Sequence, residues 1–374
     1  MTAASGRKRS AAKSVAAEHA AAKNTAPKSS AGKNTARKSS APKNTAPKSA
    51  AGRRLNSGFV LRLARIIKEA VCQSIHDRRV RVPRRTAHSG DTSFQIDLLA
   101  EKALDEFLKA ENVPLALFTE DRGLVRYGRG EPRGLLVVDP IDGTRPALAG
   151  LESACVSVSL ADYGDRPRMG DVRIGCLMEL RGPTTFLAER SKGVIISHHP
   201  RIKRPHPSDT DRLEQMFWCF ELVGRPPVET MEILEPLVTA SGLEAGMFLL
   251  SSCTYCISRI LLGQLDAYVD IGARLLADLP ETREKFLRAG KGRVVCLFPY
   301  DIAAAVLVAE EAGCIVTDAS GRSLDDLPLI RQPDDPLPSC LVASNETLHR
   351  RILKVIDKGF VRMKKCQAGR KKGG

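Results

Sequence analysis

The sequence predicts one α+β domain between Gly58 and Phe360, with a basic extension at each end. Apolar residues recur at helical spacing from Val60 to Ile75, whereas residues 154–160 read Ala-Cys-Val-Ser-Val-Ser-Leu and alternate as a strand does. The chain has 374 residues, of which 43% are hydrophobic, so it can bury one large or two ordinary cores. A soluble enzyme is therefore the default class.

Residues 1–57 are predicted to form a disordered Lys- and Ala-rich tail. A ten-residue unit, Lys-Asn-Thr-Ala-Pro/Arg-Lys-Ser-Ser/Ala-Ala-Gly/Pro, occurs three times, beginning at Lys23, Lys33 and Lys43. Up to Arg54 this tail has no aromatic residue, and Val15 is its one large apolar side chain after Met1. It therefore cannot bury enough surface to offset the entropy lost on ordering.

Most of the net charge of +15 lies in the two ends. Thirteen Lys and Arg oppose Glu18 up to Arg54, and ten oppose Asp357 from Arg350 onward, which leaves −6 for residues 55–349. The first tail is similar to a linker-histone tail, so nucleic acid or another polyanion is one candidate partner. A solubilising extension is an equal alternative, and a transit peptide is disfavoured because Lys outnumbers Arg. Residues 361–374 form a second basic tail.

The folded part is predicted to alternate helices and strands. A second helix follows over Thr92–Ala110, and the strand at 154–160 precedes a hairpin of Val172–Leu180 with Thr184–Ala188. The Pro- and His-rich stretch Lys192–Asp211 is predicted to be loop. Further helices are predicted over Val228–Ala240, Ser252–Leu262, Pro280–Leu287 and Asp301–Ala312, with a last helix capped by Asn345 and running through Ile356. Further strands are predicted over Phe217–Val223, Leu265–Ile271, Cys314–Thr317 and Cys340–Ala343.

The ten cysteines lie mostly within apolar runs, as reduced cysteines do in a core. No apolar leader precedes them, so an oxidising compartment is not expected and a cytoplasmic location is predicted. Cys253 and Cys256 form a lone pair at helical spacing, which favours core packing over zinc or redox chemistry. No apolar run approaches the roughly 20 residues that span a bilayer, so no membrane association is expected.

The stretch from Gly134 to Thr144, Gly-Leu-Leu-Val-Val-Asp-Pro-Ile-Asp-Gly-Thr, carries the strongest chemical signal. Its apolar run can be buried on both faces as a central strand that delivers Asp139 to the strand's carboxyl end. Asp142 follows across a turn made rigid by Pro140, so the repulsion between two carboxylates favours a hard cation such as Mg²⁺. The alternative interpretation is an ordinary turn, since Asp, Pro and Gly are turn residues.

Two further segments favour the cation. Thr119-Glu120-Asp121-Arg122-Gly123 follows an apolar segment, and Tyr300-Asp301-Ile302-Ala303-Ala304 opens a helix that ends at Glu310-Glu311-Ala312-Gly313. With the central hexapeptide, these segments resemble, in order, the motifs of the inositol monophosphatase family of Mg²⁺-dependent, lithium-sensitive phosphatases, over roughly Gly58 to Phe360. The resemblance implies a five-layer α/β/α/β/α sandwich and a phosphoric monoester hydrolase.

The resemblance also implies a metal site for two or three Mg²⁺ ions. Glu120, Asp139 and the backbone carbonyl of Ile141 would hold the first ion, and Asp139, Asp142 and Asp301 would hold the second. The candidate catalytic residues are Glu120, Thr144 and Asp97, of which Thr144 and Asp97 would orient the attacking water. The implied substrate-binding residues are Asp142, Gly143, Thr144 and Asp270, with the amides of Gly143 and Thr144 on the phosphate and Asp270 on a substrate hydroxyl.

The implied substrate is a phosphate monoester of a small polyol or sugar, inositol monophosphate or fructose 1,6-bisphosphate. A 3′(2′),5′-bisphosphate nucleotidase is the alternative enzyme, and a nucleic-acid or polyanion binder with a phosphatase-like core is the alternative outside enzymes. A homodimer is expected. The chain departs from the family at Tyr300, Cys314 and Arg145, and residues 276–299 form a longer segment than usual, which either shapes the substrate entrance or elaborates the surface.

Overall fold

The computed structural model describes residues 54–75, 77–87, 91–332 and 335–372. The predicted disordered tail lies outside the described residues as far as residue 53. The helices are α1 (Ser57–Ser74), α2 (Gln95–Glu111), α3 (Thr144–Ala149), α4 (Pro227–Ala240), α5 (Cys253–Leu261), α6 (Gly272–Asp278), α7 (Arg283–Ala289), α8 (Pro299–Glu311) and α9 (Glu346–Lys372). The first seven strands are β1 (Pro83–Thr86), β2 (Thr92–Phe94), β3 (Leu115–Thr119), β4 (Gly123–Tyr127), β5 (Leu135–Asp142), β6 (Cys155–Ala161) and β7 (Val172–Glu179). The others are β8 (Thr185–Glu189), β9 (Val194–Ser197), β10 (Phe217–Phe220), β11 (Gly246–Phe248), β12 (Ala267–Asp270), β13 (Ile315–Thr317) and β14 (Cys340–Ala343).

Two sheets organise the domain. The larger sheet has the strand order β4-β3-β5-β6-β7-β8-β9, in which β3 and β5 are parallel and the other neighbours antiparallel. The smaller sheet has the order β11-β10-β12-β14-β13, with β10 parallel to both of its neighbours. A short ribbon of β1 and β2 stands apart.

Helices cover both faces of each sheet. Helices α1 and α2 pack on one face of the larger sheet, α5 and α8 lie between the two sheets, and α4 and α9 cover the outer face of the smaller one. The alternation of side chains along β5 shows why, because Leu136 and Val138 join the core under α1 and α2 whereas Leu135 and Val137 join the core under α8. The five-layer sandwich is thus confirmed.

Most of the predicted elements are present within a few residues of their predicted bounds. The hairpin of β7 and β8 is antiparallel, and Asn345 caps the last helix by accepting a hydrogen bond from the Leu348 amide at 2.9 Å. Cys253 and Cys256 are buried in α5, as core packing requires. Within the described residues, no helix combines the length and the apolar character needed to cross a bilayer.

Two predictions about elements were wrong. The stretch Lys192–Asp211 is not all loop, because β9 (Val194–Ser197) pairs antiparallel with β8 at the sheet edge. The last helix does not end at Ile356 but continues to Lys372. Phe360 and Met363 extend its apolar face into the core of the smaller sheet, so burial of that face supports the helix beyond the predicted end.

Candidate active site

The end of β5 places two acids at the rim of the larger sheet. Asp139 pairs with Ser157 and Asp142 with Cys155 of β6, and the register shifts between the two pairs, around Pro140 and Ile141. Asp139 Oδ1 accepts a hydrogen bond from the Ile141 amide at 2.9 Å, which fixes its carboxylate against the backbone. The hexapeptide is therefore an interruption at the end of a buried strand rather than a free surface turn.

Gly143 then turns the chain toward α3. Its φ of +92° is unfavourable for a side chain, and a Cβ there would come within 2.6 Å of the Ser153 carbonyl oxygen. Thr144 follows as the first residue of α3, and its Oγ1 donates toward Asp97 Oδ1 at 3.0 Å, with the Ile141 carbonyl also within reach at 3.1 Å. The two residues predicted to orient water are therefore in hydrogen-bond contact, although 47 positions separate them.

Asp97 lies in the first turn of α2, where its Oδ2 accepts a hydrogen bond from the Phe94 amide at 2.7 Å. Burial raises the pKa of its carboxyl to about 7, against the lowering effect of the hydrogen bonds from Phe94 and Thr144. A carboxyl group with a pKa near neutrality can exchange a proton at working pH.

The predicted metal-binding carboxylates lie close enough that the pKa values of Asp139 and Asp301 respond to the others. Burial, followed by the charges of Glu120, Asp142 and Asp301, raises the pKa of Asp139 well above its ordinary value. The pKa of Asp301 is likewise raised, first by burial and then by Asp142. Segments from β3, β5 and α8 thus bring these acids close enough to repel each other, which is the electrostatic condition that a cation relieves.

Asp142 is held by a second element. Its Oδ2 accepts hydrogen bonds from Ser252 Oγ at 2.7 Å, from the Thr254 amide at 2.7 Å and from the Thr254 hydroxyl. All three donors stand at the start of α5, between the two sheets. Burial raises the pKa of Asp142 in spite of these bonds, so its negative charge is not fully compensated by the protein.

These residues fit a hard cation by the chemistry of their donors. They supply carboxylate oxygens and the Ile141 carbonyl, which are ligands that Mg²⁺ accepts. Asp139 and Asp142 are buried, and burial raises the pKa of Asp139, Asp142 and Asp301. In the part of the chain that the structure describes, no three His, Cys, Asp or Glu side chains are already arranged as a metal cage. Several of the carboxylate oxygens accept hydrogen bonds from the protein instead.

A cavity of about 100 Å³ opens beside these acids. Its lining includes Glu120, Asp142 and Asp301, and it adds two charged residues of the loop after β10, Glu221 and Arg225. Burial raises the pKa of Glu221 to about 7. Asp139 and Asp97 lie in a smaller cavity beside it, which Glu120 also lines.

Asp270 forms a buried ion pair with Arg225 in this structure. Its carboxylate is completely buried at the end of β12, where Oδ2 pairs with Arg225 Nη2 and Oδ1 accepts from the Gly272 amide at 2.6 Å. Arg225 lines the cavity, whereas Asp270 is absent from its lining. The contacts of Asp270 show that it fixes the position of Arg225. Direct contact of Asp270 with a substrate stays a prediction.

The departures at Tyr300 and Cys314 are accommodated by packing. The Tyr300 ring stacks on Phe298, with centroids 5.4 Å apart and planes 4° apart, and it contacts Phe118 of β3. Cys314 is buried in the core between the sheets. Tyr300 therefore braces the start of α8, where Asp301 Oδ2 accepts from the Phe298 amide at 2.6 Å.

Sequence reasoning missed Glu221, Arg225, Ser252 and Thr254. A signal was present for the first two, because Glu221 directly follows a strand of the smaller sheet and Arg225 lies in the loop after it. Ser252 and Thr254 gave no such signal, since their partner, Asp142, is 110 and 112 positions away.

Comparisons with known proteins agree with the fold. The profile of the inositol monophosphatase family matches residues 57–359. A fructose-1,6-bisphosphatase/inositol-1-monophosphatase from Methanothermobacter thermautotrophicus is 23% identical, over 80% of this chain and 96% of its own length. A Nus factor SuhB from Xylella fastidiosa is 25% identical, over 71% of this chain and 82% of its own. The crystal structure of the extragenic suppressor protein SuhB from Bartonella henselae matches with a TM-score of 0.59 at 19% identity, over 81% and 98% of the two chains.

The family match and the relative named above define the class of protein as a phosphatase. The chain belongs to the inositol monophosphatase family. Enzymes of this family are phosphoric monoester hydrolases and generally depend on metal ions, and phosphorylated sugars or polyols fit them as substrates.

Proposed function

We propose that this protein hydrolyses the phosphate monoester of a small polyol or sugar, inositol monophosphate or fructose 1,6-bisphosphate, with Mg²⁺ and a water molecule. One observation carries the proposal: after burial, the charges of Glu120, Asp142 and Asp301 raise the pKa of Asp139, and that of Asp142 raises the pKa of Asp301, although these acids come from three separate segments. A similar protein bears the name fructose-1,6-bisphosphatase/inositol-1-monophosphatase, which supports the substrate class.

The residues that would hold the cations are these four acids and the Ile141 carbonyl. When bound, divalent cations lower the pKa of a water molecule and offset the charge that develops on the phosphoryl and leaving oxygens. Two or three ions fit the number of acidic donors. The raised pKa values of Asp139 and Asp142 support this assignment, because burial disfavours their charged forms and a bound cation would stabilise those forms.

Thr144 and Asp97 would position the attacking water. Thr144 Oγ1 donates its own proton toward Asp97 Oδ1, which leaves a lone pair of the hydroxyl oxygen free to accept from water. Asp97, with a pKa of about 7, is suited to receive a proton through this hydroxyl. The amides of Gly143 and Thr144 are the proposed donors to the phosphate oxygens.

Phosphate release tests this proposal. The purified chain is incubated with inositol 1-phosphate, fructose 1,6-bisphosphate or a 3′(2′),5′-bisphosphate nucleotide, each with Mg²⁺ or with EDTA. We expect release that requires Mg²⁺ and is lost in Asp142→Asn, whereas Asp165→Asn, an exposed acid away from the cavity, is the matched control. Equal, metal-independent release from all three compounds would overturn the mechanism, and preference for the nucleotide would favour the alternative enzyme.

A second candidate function is binding of nucleic acid or another polyanion. The basic ends of the chain motivate it, α9 exposes several Lys and Arg side chains, and two of the similar proteins are named Nus factor SuhB. It predicts salt-sensitive binding to RNA or DNA that is lost when residues 1–54 are deleted and is unchanged in Asp142→Asn. If the truncated protein binds equally well, the tail is only a spacer.

The remaining expectations concern the assembly and the location of the chain. A homodimer and a cytoplasmic location stay predictions, as do the tail boundaries at residues 57 and 361. Light scattering of the purified protein tests the first, and limited proteolysis tests the boundaries.

A further inference from the structure

A second cavity, of about 340 Å³, adjoins the candidate active site. The two cavities share Asp91, Arg145, Val223 and Val295 in their linings, so they form one continuous groove. The second cavity is built largely by the segment after α7, including Lys291 and Arg293. This segment belongs to residues 276–299, the region that the sequence predicts to be longer than the family pattern. The cavity therefore lies on a part of the molecule to which the proposed hydrolysis assigns no role.

The two ends of this groove differ in charge. Acids dominate the first cavity, where Glu120, Asp142, Asp301 and Glu221 outnumber the basic residues. In the second cavity the basic residues Arg145, Lys291 and Arg293 outnumber Asp91, and Thr86 and Thr92 add hydroxyl groups. An acidic end suits cations and the phosphate they bind, whereas a basic end suits an anionic group without a cation.

The basic segment is held in place by its backbone. The Gly292 amide donates to the Leu287 carbonyl at 2.6 Å, and the Arg293 amide donates to the Gly290 carbonyl at 3.2 Å. Phe286 of α7 is completely buried in the core of the smaller sheet, which anchors the helix from which the segment leaves. Lys291 and Arg293 themselves are exposed, and within the described ranges neither has a carboxylate partner. Their charges are thus presented to solvent from a defined turn.

Arg145 connects the two ends. It follows Thr144 directly, and its guanidinium binds both carboxylate oxygens of Asp91, at 2.6 and 3.0 Å. This bidentate pair fixes the direction of the guanidinium, while 46% of the side chain stays exposed. Arg145 therefore holds a guanidinium in a fixed position at the junction of the two cavities, where its charge is shared with Asp91.

We propose that Arg145, Lys291 and Arg293 bind a second phosphate group of the substrate, remote from the phosphate that is hydrolysed. The preferred substrate is then a bisphosphorylated polyol or sugar rather than a monophosphate. This inference rests on the proposed phosphatase function, because it takes the acidic end of the groove as the place of hydrolysis. A monophosphate would leave the basic end in contact with water alone, so its charges would contribute nothing to substrate selection.

Matched pairs of substrates test the proposal. We compare kcat/KM for fructose 1,6-bisphosphate with that for fructose 1-phosphate and fructose 6-phosphate, and for inositol 1,4-bisphosphate with that for inositol 1-phosphate. The test variant is the double substitution Lys291→Asn and Arg293→Gln. Asn is chosen because Lys291 has a φ of +52°, which Asn tolerates better than Ala. Arg288→Gln, an exposed basic residue of α7 outside both linings, is the control.

We expect the wild-type protein to prefer the bisphosphate, and the double variant to lower the ratio of bisphosphate to monophosphate kcat/KM by about tenfold or more, as the loss of charge-assisted bonds implies. The control is expected to keep the wild-type ratio. Rising salt is expected to reduce the ratio in the wild-type protein, because the two charges are exposed and screened over about 8 Å at physiological ionic strength.

A binding measurement separates this proposal from the hydrolysis itself. Calorimetric titration of Asp142→Asn with the same bisphosphates and monophosphates reports the second phosphate contact without turnover. If the bisphosphate binds no better than the monophosphate, or if the double substitution leaves the affinity ratio unchanged, the second phosphate site is refuted. Absence of phosphate release from the wild-type protein, with an intact affinity ratio in Asp142→Asn, would refute the proposed reaction but not the second phosphate site.

Discussion

Thr254→Val removes one of three hydrogen bonds that hold Asp142. The Thr254 hydroxyl is completely buried and donates to Asp142 Oδ2, which also accepts from the Thr254 amide and from Ser252 Oγ. Valine has nearly the same shape, so the substitution leaves no large void. A hydrogen bond to a charged group contributes about 1.5–3 kcal/mol, so we expect a loss of that size in the free energy of unfolding.

Urea denaturation measures this loss, and Thr230→Val is the matched control. Thr230 is equally buried, and its hydroxyl donates to the neutral Pro226 carbonyl at 2.7 Å, so about 0.5–1.5 kcal/mol is expected there. Because Asp142 loses a positioning donor, phosphate release is also expected to fall in Thr254→Val and to stay unchanged in Thr230→Val. Equal losses of stability with no change in phosphate release would show that the Asp142 network has no special role.

Three further predictions concern single positions. Asp139→Asn is expected to lower phosphate release by about 100-fold or more. In EDTA it is not expected to lower the free energy of unfolding, because it removes a buried charge that its neighbours repel. A destabilised variant in urea denaturation would contradict this. Gly143→Ala is expected to lower the free energy of unfolding by about 1–3 kcal/mol more than Gly150→Ala does, as measured by urea denaturation. Both glycines have a positive φ, but only at Gly143 would the added Cβ come within 2.6 Å of a backbone oxygen. The pKa of Asp105 is lowered, because hydrogen bonds from Lys109, Tyr127 and Arg122 outweigh the effect of burial. Asp105→Asn is therefore expected to lower the free energy of unfolding at pH 7, and this loss is expected to shrink as the pH falls below 4. Urea denaturation at a series of pH values checks both expectations.

Contiguous patterns were enough to predict most of the elements and the central acidic turn. The helical spacing of residues 60–75 and the apolar run before Asp139 reflect burial of one helix face and of both strand faces, which any compact fold of this chain requires. Strand β9 was missed because four residues at a sheet edge give too short a pattern. The length of α9 was missed because Phe360 and Met363 alone extend its apolar face among many charged residues.

The composition of the groove was decided by packing between distant segments. Spacing along the chain identified Asp139 and Asp142 as a pair, but it could not show that α5 would bind Asp142 or that Arg225 would pair with Asp270. Nor could it place Lys291 and Arg293 beside Arg145. A linear pattern reports which face of one element is apolar, whereas the meeting of polar groups from different layers depends on how those layers stack, and that is a property of the whole folded chain.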